Sequence, residues 1–163
     1  MLRRVVTAQS VSTGTQNLRL TYFTAKKTET VTQVRVVSGS TAAGATPTLC
    51  RVGIYEVDSS GNLTLVGSTA SDTALFAATT TEYTKSLSAS FTKKRGTRYA
   101  VGVLVVTSAT APTLLGQNTI VSATAGRAPR LAGLVGSQSD LPSTVSVGSI
   151  TDQGNQAYVE LLP

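Results

Sequence analysis

The chain of 163 residues contains no histidine and no tryptophan, one cysteine and one methionine, and aromatic residues make up only 5% of it. Without histidine, nucleophilic catalysis of the Ser-His-Asp or Cys-His kind lacks its base. The same absence removes the commonest zinc and iron ligand sets, which one cysteine cannot replace. Cys50 has no partner for an intrachain disulfide, and its alternation with Val52 and Ile54 assigns it to a buried face as a small hydrophobe. Acids are few as well. A glycosidase needs two carboxylates roughly 5 to 10 Å apart, and Asp58, Asp72, Asp140 and Asp152 all stand in turn-like contexts that an Asx turn or a cap explains. Asp58, Asn62, Asp140 and Asp152 follow no EF-hand spacing, and the glycines lack the glycine–lysine pattern of a phosphate loop. No catalytic residue, metal ligand or cofactor is therefore expected.

Long apolar runs are missing too. A membrane-spanning helix needs about 20 apolar residues, and no such run occurs. Arg3-Arg4-Val5-Val6 is followed by polar Thr7, Gln9 and Ser10 before any apolar stretch of signal-peptide length.

Serine and threonine supply more than a quarter of the residues, while apolar residues make up 40% and charged residues 13%. Hydroxyls must therefore solubilise the surface, around a core that Val, Leu and Ile are numerous enough to fill. The expected fold is an all-β, antiparallel, jelly-roll-like sandwich with at most one short helical turn. We divide it into an arm or edge segment, residues 1–16, and a single sandwich domain, residues 17–163, a size suited to one core.

Residues 17–23 alternate, with Leu18, Leu20 and Tyr22 opposed by Arg19 and Thr21, the period of a half-buried strand. Residues 30–37 and 82–89 repeat the pattern, and residues 38–47 read as a loop. In residues 48–57, Cys50, Val52 and Ile54 share one face, with Arg51, Gly53 and Tyr55 on the other; a turn at Asp58–Asn62 returns the chain through Leu63. Residues 98–106, RYAVGVLVV, are the most apolar strand and should be central, covered on both faces. A Ser-Asp pair before residues 73–78 predicts one helical turn. Residues 112–116, 130–134 and 157–162 are further short strands.

The formal charge is +6, and only Lys26-Lys27 and the stretch from Lys93 to Arg98 are densely basic. Solvated turns and edge-protecting charges account for them, and the scatter of the rest weighs against nucleic acid as a partner. Tyr55, pointing away from Cys50, Val52 and Ile54, is the best candidate for an aromatic surface contact, although packing against the second sheet or a neighbouring subunit accounts for it better than ligand stacking does. Tyr83, Lys93, Lys94 and Arg95 complete the candidate surface.

Three segments carry a resemblance: YFTAKKTETV at residues 22–31; RVGIYEVD with GNLTLV at residues 51–58 and 61–66; and RYAVGVLV at residues 98–105. With APRL at 128–131 and YVELLP at 158–163 they resemble, in texture and order, the small β-sandwich virion modules of tailed bacteriophages of actinobacteria, described as minor tail or head decoration proteins. The resemblance implies a non-enzymatic structural protein on the particle surface, assembled in the host cytoplasm. Its implied partners are major capsid or tail proteins and further copies of itself, as a trimer or another symmetric ring. No catalytic motif comes with it. The short arm favours docking on a preformed lattice over the tip of a long fibre. The alternative is a carbohydrate-binding module that recognises a host surface glycan through Tyr55, Tyr83 and the loops at residues 38–47 and 133–149.

Overall fold

The computed structural model describes residues 9–44, 47–118 and 130–163. Residues 1–8 of the expected arm, and Ala128 and Pro129 of the segment sharing the resemblance, lie outside the described residues.

The protein is an antiparallel β-sandwich. One layer is a seven-stranded sheet of β10 (Thr144–Val145), β5 (Leu63–Ser68), β4 (Leu49–Val57), β7 (Arg98–Val106), β2 (Leu18–Thr24), β9 (Ala132–Val135) and β11 (Thr151–Asp152), in that order. The other layer holds two three-stranded sheets. The first is β1 (Gln9–Ser12), β8 (Thr113–Asn118) and β12 (Asn155–Ala157); the second is β13 (Val159–Leu162), β3 (Glu29–Val37) and β6 (Glu82–Lys93). A bridge between Ser38 and Leu114 joins these two, and one between Thr69 and Leu87 ties the β5 side to β6. From β1 to β8 the chain crosses repeatedly between layers, as a jelly-roll-like path requires.

As its composition predicts, β7 lies at the centre, between β4 and β2, and is buried from Tyr99 to Val105. Cys50, Val52 and Ile54 face the core between the layers with Val34, Val36, Val101 and Val103. Burial pushes the Cys50 thiol up to about 11, with a further rise from nearby Asp72. Its neutral form is thus favoured in the folded state, a contribution present below the ordinary thiol pKa of about 8.5 and lost as pH rises past it. A thiol reagent at neutral pH is expected to leave the folded protein unmodified and to label Cys50 only after urea unfolding; rapid native labelling would contradict this burial.

The opposite face of the seven-stranded sheet is buried as well. Leu18, Leu20, Tyr22, Tyr55, Leu63 and Leu104 form a second core, covered by Leu141, Val145 and Ile150. The covering segment is held by β10 on β5 and by β11 on β9, with a 3₁₀ turn at Val147–Ser149 between them. Tyr55 fits because Gly53 and Gly102 lie opposite each other on β4 and β7, leaving a flat strip beneath its ring. A Cβ at either position would stand 3.0 or 3.2 Å from Tyr55 Cε2.

Strand β2 departs from the half-buried expectation for the same reason: Arg19 and Thr21 face the second layer instead of solvent and are buried. Arg19 donates from Nε and Nη2 to the Ser12 carbonyl, at 3.0 and 2.6 Å, and from Nη1 to Gln153 Oε1 at 2.7 Å. This guanidinium pins β1 and the approach to β12 against β2. Arg19→Ala should cost about 2 kcal/mol, the scale of charge-assisted hydrogen bonds; a urea midpoint equal to the parent's would remove the pin from the account.

Two expected elements take a different form. Residues 71–78 form turns, not a helical turn: Asp72 caps them by accepting from the Ala74 amide at 2.9 Å, and Phe76 then adopts φ +69°. The only helical element among the described residues is the 3₁₀ turn at Val147–Ser149. Residues 157–162 are also split. Tyr158 donates its amide to the Leu115 carbonyl at 2.8 Å, after which the chain leaves β8 and pairs with β3. Within the expected arm, Gln9–Ser12 is an edge strand on β8 of the same molecule.

Candidate functional site

The exposed-aromatic reading of Tyr55 is corrected. Its side chain is 0% exposed, because the sheet it projects from is covered on both faces. Alternation had only separated the two faces. Burial drives the phenol pKa far above its ordinary value, and among the described residues no group bonds its hydroxyl. Residues 133–149, expected as a contact loop, contribute the cover over it through Leu141 and Val145.

Lys93 is corrected as well. Its side chain is 8% exposed, and its ammonium pairs with Glu29 across the β3–β6 ladder. Lys27 and Lys93 together hold the Glu29 carboxyl below its ordinary pKa. Tyr83 is half-buried and packs edge-on against Phe76, with ring centroids 5.6 Å apart. Its hydroxyl accepts from the Ala78 amide at 3.0 Å, so both ring and hydroxyl serve a loop.

Lys94 and Arg95 are exposed, and here the fold adds what spacing alone cannot. The β6–β7 turn that carries them is laced to the β2–β3 turn that carries Lys26 and Lys27. Ala25 donates to the Thr97 carbonyl at 3.0 Å, Gly96 to the Ala25 carbonyl at 2.8 Å, and the Arg95 amide to Thr28 Oγ1 at 3.0 Å. Gly96 takes φ +83°, which lets the β6–β7 turn close tightly. The two basic stretches, far apart in sequence, thus form one patch at one end of the sandwich.

Acidic groups are otherwise engaged. Arg35 pairs with Glu82 and Glu160, Arg51 with Asp140, Lys85 with Asp72 and Arg130 with Asp152. Asp58 accepts from the Ser60 and Asn62 amides, each at 2.8 Å, closing the β4–β5 turn as its sequence context predicts. Among the described residues only Glu56 has neither a cation partner nor such a turn role, and no cluster of three potential metal ligands occurs. Lys26, Lys94 and Arg95 form no ion pair among the described residues, so the patch is net positive.

Beside the patch opens a cavity of about 640 Å³, lined by Phe23 of β2 and Ala25 just after it, Leu115 of β8, and Tyr158, Val159 and Leu161 of the last segment. Tyr158 is 48% exposed. Nothing in the sequence marks this cavity, because it depends on the change of partner strand at Tyr158. A second cavity, about 280 Å³, lies beside Tyr22, Arg98 and the Arg130–Asp152 pair. Arg98 stands 4.9 Å over the Tyr22 ring, and burial raises that phenol's pKa against the opposing pull of Arg130 and Arg98.

Fold and site together define an antiparallel β-sandwich with a basic, apolar-grooved end. No protein-family model matches the chain, and no curated protein matches it significantly.

Proposed function

We propose that the protein is a non-enzymatic structural component of a tailed-phage virion surface, a head decoration or minor tail protein. The reading rests on the resemblance carried by residues 22–31, 51–66 and 98–105. The observation that supports it best is the employment of the acids: all but Glu56 are spent in a turn or in ion pairs that tie strand to strand or loop to strand. A doubly cored sandwich with ion pairs tying its strands and several of its described loops suits a particle that persists outside cells. The asymmetric end, with surplus positive charge and an apolar groove, gives such a module one face by which to dock.

Labelling of purified particles under the electron microscope tests this, and absence of the protein from both shell and tail would sink it. Hundreds of copies per particle would place it on the head, a handful on the tail. The glycan-binding alternative has lost Tyr55 as its platform, and no observation favours it.

A further inference from the structure

The basic end combines three features that point to one kind of occupant. The first is a pair of open strand edges. Strand β9 covers β2 only from Leu18 to Thr21, and the Leu131 carbonyl takes the Tyr22 amide at 3.0 Å. The Tyr22 carbonyl accepts from Gln156 Nε2 at 3.2 Å, and beyond it the last two residues of β2, Phe23 and Thr24, carry no strand on their outer edge among the described residues. Among the described residues, strand β13 pairs with β3 alone and ends its sheet. Such edges offer unpaired amides and carbonyls, a template for an added strand.

The second feature is the groove beside these edges. Its volume, about 640 Å³, lies in the range of sites that hold a ligand, and Phe23, Ala25, Leu115, Val159 and Leu161 give it an apolar lining with Tyr158 partly exposed at it. The third is charge. Lys26 and Lys27 border the groove and Lys94 and Arg95 stand on the turn laced to theirs, while Glu160, the one acid that lines the groove, is paired with Arg35, and Glu29 is shared by Lys27 and Lys93.

The geometry points to a docking groove for an extended, acidic segment of a partner protein, added as a strand with alternate apolar side chains in the groove and its carboxylates on Lys26, Lys27, Lys94 and Arg95. This deepens the virion reading and rests on it, since a preformed lattice is what would present the segment. Backbone bonding along β2 and β13 supplies attachment, and charge selects the partner.

The test uses the full chain and a labelled heptapeptide of alternating glutamate and valine, followed by fluorescence anisotropy. A lysine–valine peptide and a DNA oligonucleotide of matching negative charge serve as controls. The glutamate peptide is expected to bind and both controls to fail. Lys26→Glu combined with Lys94→Glu should weaken binding about tenfold or more. Tyr158→Ser, at a half-exposed position, should weaken it without moving the melting temperature.

No binding of the glutamate peptide, equal binding of the lysine peptide, or indifference to both variants would overturn the proposal. So would equal binding of DNA, which assigns the patch to polyanions at large. Sedimentation showing dimers that the peptide dissociates would give the groove to a second copy. Binding that appears only after deletion of residues 1–8 would give it to the chain's own N-terminus. Particle labelling is independent of all of these: a protein found on the virion that ignores the peptide fails here while the functional reading stands.

Discussion

Tyr55→Ala is expected to cost about 3–5 kcal/mol, the range for removing a large buried ring. The ring is wholly enclosed between the Gly53–Gly102 strip and the cover from residues 136–150. Removing it opens a cavity beside the two facing glycines, against which Leu18, Leu20, Leu65 and Leu141 also pack, and strand backbones cannot close that gap. A typical domain has about 5–15 kcal/mol in hand, so the variant should unfold at much lower urea or not accumulate. Tyr55→Phe should behave in the opposite sense. The Tyr55 hydroxyl has no hydrogen-bond partner among the described residues, and an unsatisfied buried polar atom costs about 1–3 kcal/mol. The phenylalanine variant is therefore expected to equal or exceed the parent's stability by urea denaturation. An alanine variant as stable as the parent would show that the second core does not form.

Phe76→Ala is expected to cost a similar amount, about 3–5 kcal/mol, although residue 76 lies in a loop. Phe76 is 0% exposed and reaches the core between the layers, with Leu75 beside it and Tyr83 edge-on. Its φ of +69° is unfavourable for a bulky side chain. The burial of the ring offsets that strain, and alanine would keep the strain while losing the burial. Pairing Phe76→Ala with Tyr83→Ala in a double-mutant cycle should show a coupling of about 0.5–1.5 kcal/mol. Additive effects would mean that the two rings do not support each other.

Much of the strand order was legible because alternation and turn chemistry are local. The Asp58–Asn62 turn, the inward set Cys50, Val52 and Ile54, and the central position of residues 98–106 all follow from periods and compositions within a dozen residues. The short strands β10 and β11 were not legible: two residues each carry no period, and they form only because β5 and β9 offer edges. The helical turn expected at residues 71–78 failed for a related reason. Its Ser-Asp start is a true cap, but Phe76 takes φ +69°, outside the right-handed helical region, so the path turns into the core there instead of continuing as a helix.

The candidate site shows the same division. Exposed Lys94 and Arg95 were found from sequence because charged residues in a turn stay in water. Tyr55 and Lys93 were misplaced because alternation separates two faces without saying what covers either. The groove at Tyr158 was missed, since its walls come from β2, β8 and β13, which no pattern in the chain brings together.

By itself the sequence determined that the protein is built of antiparallel strands, that Cys50 packs inward, and that two basic stretches exist. These depend on side-chain alternation, residue preference and turn-forming residues, all local properties of a chain. Only the tertiary structure decided that the central sheet is buried on both sides, that the two basic stretches meet, and that an apolar groove opens beside them. Those outcomes depend on which strands become neighbours, and strand pairing is settled by packing over the whole molecule.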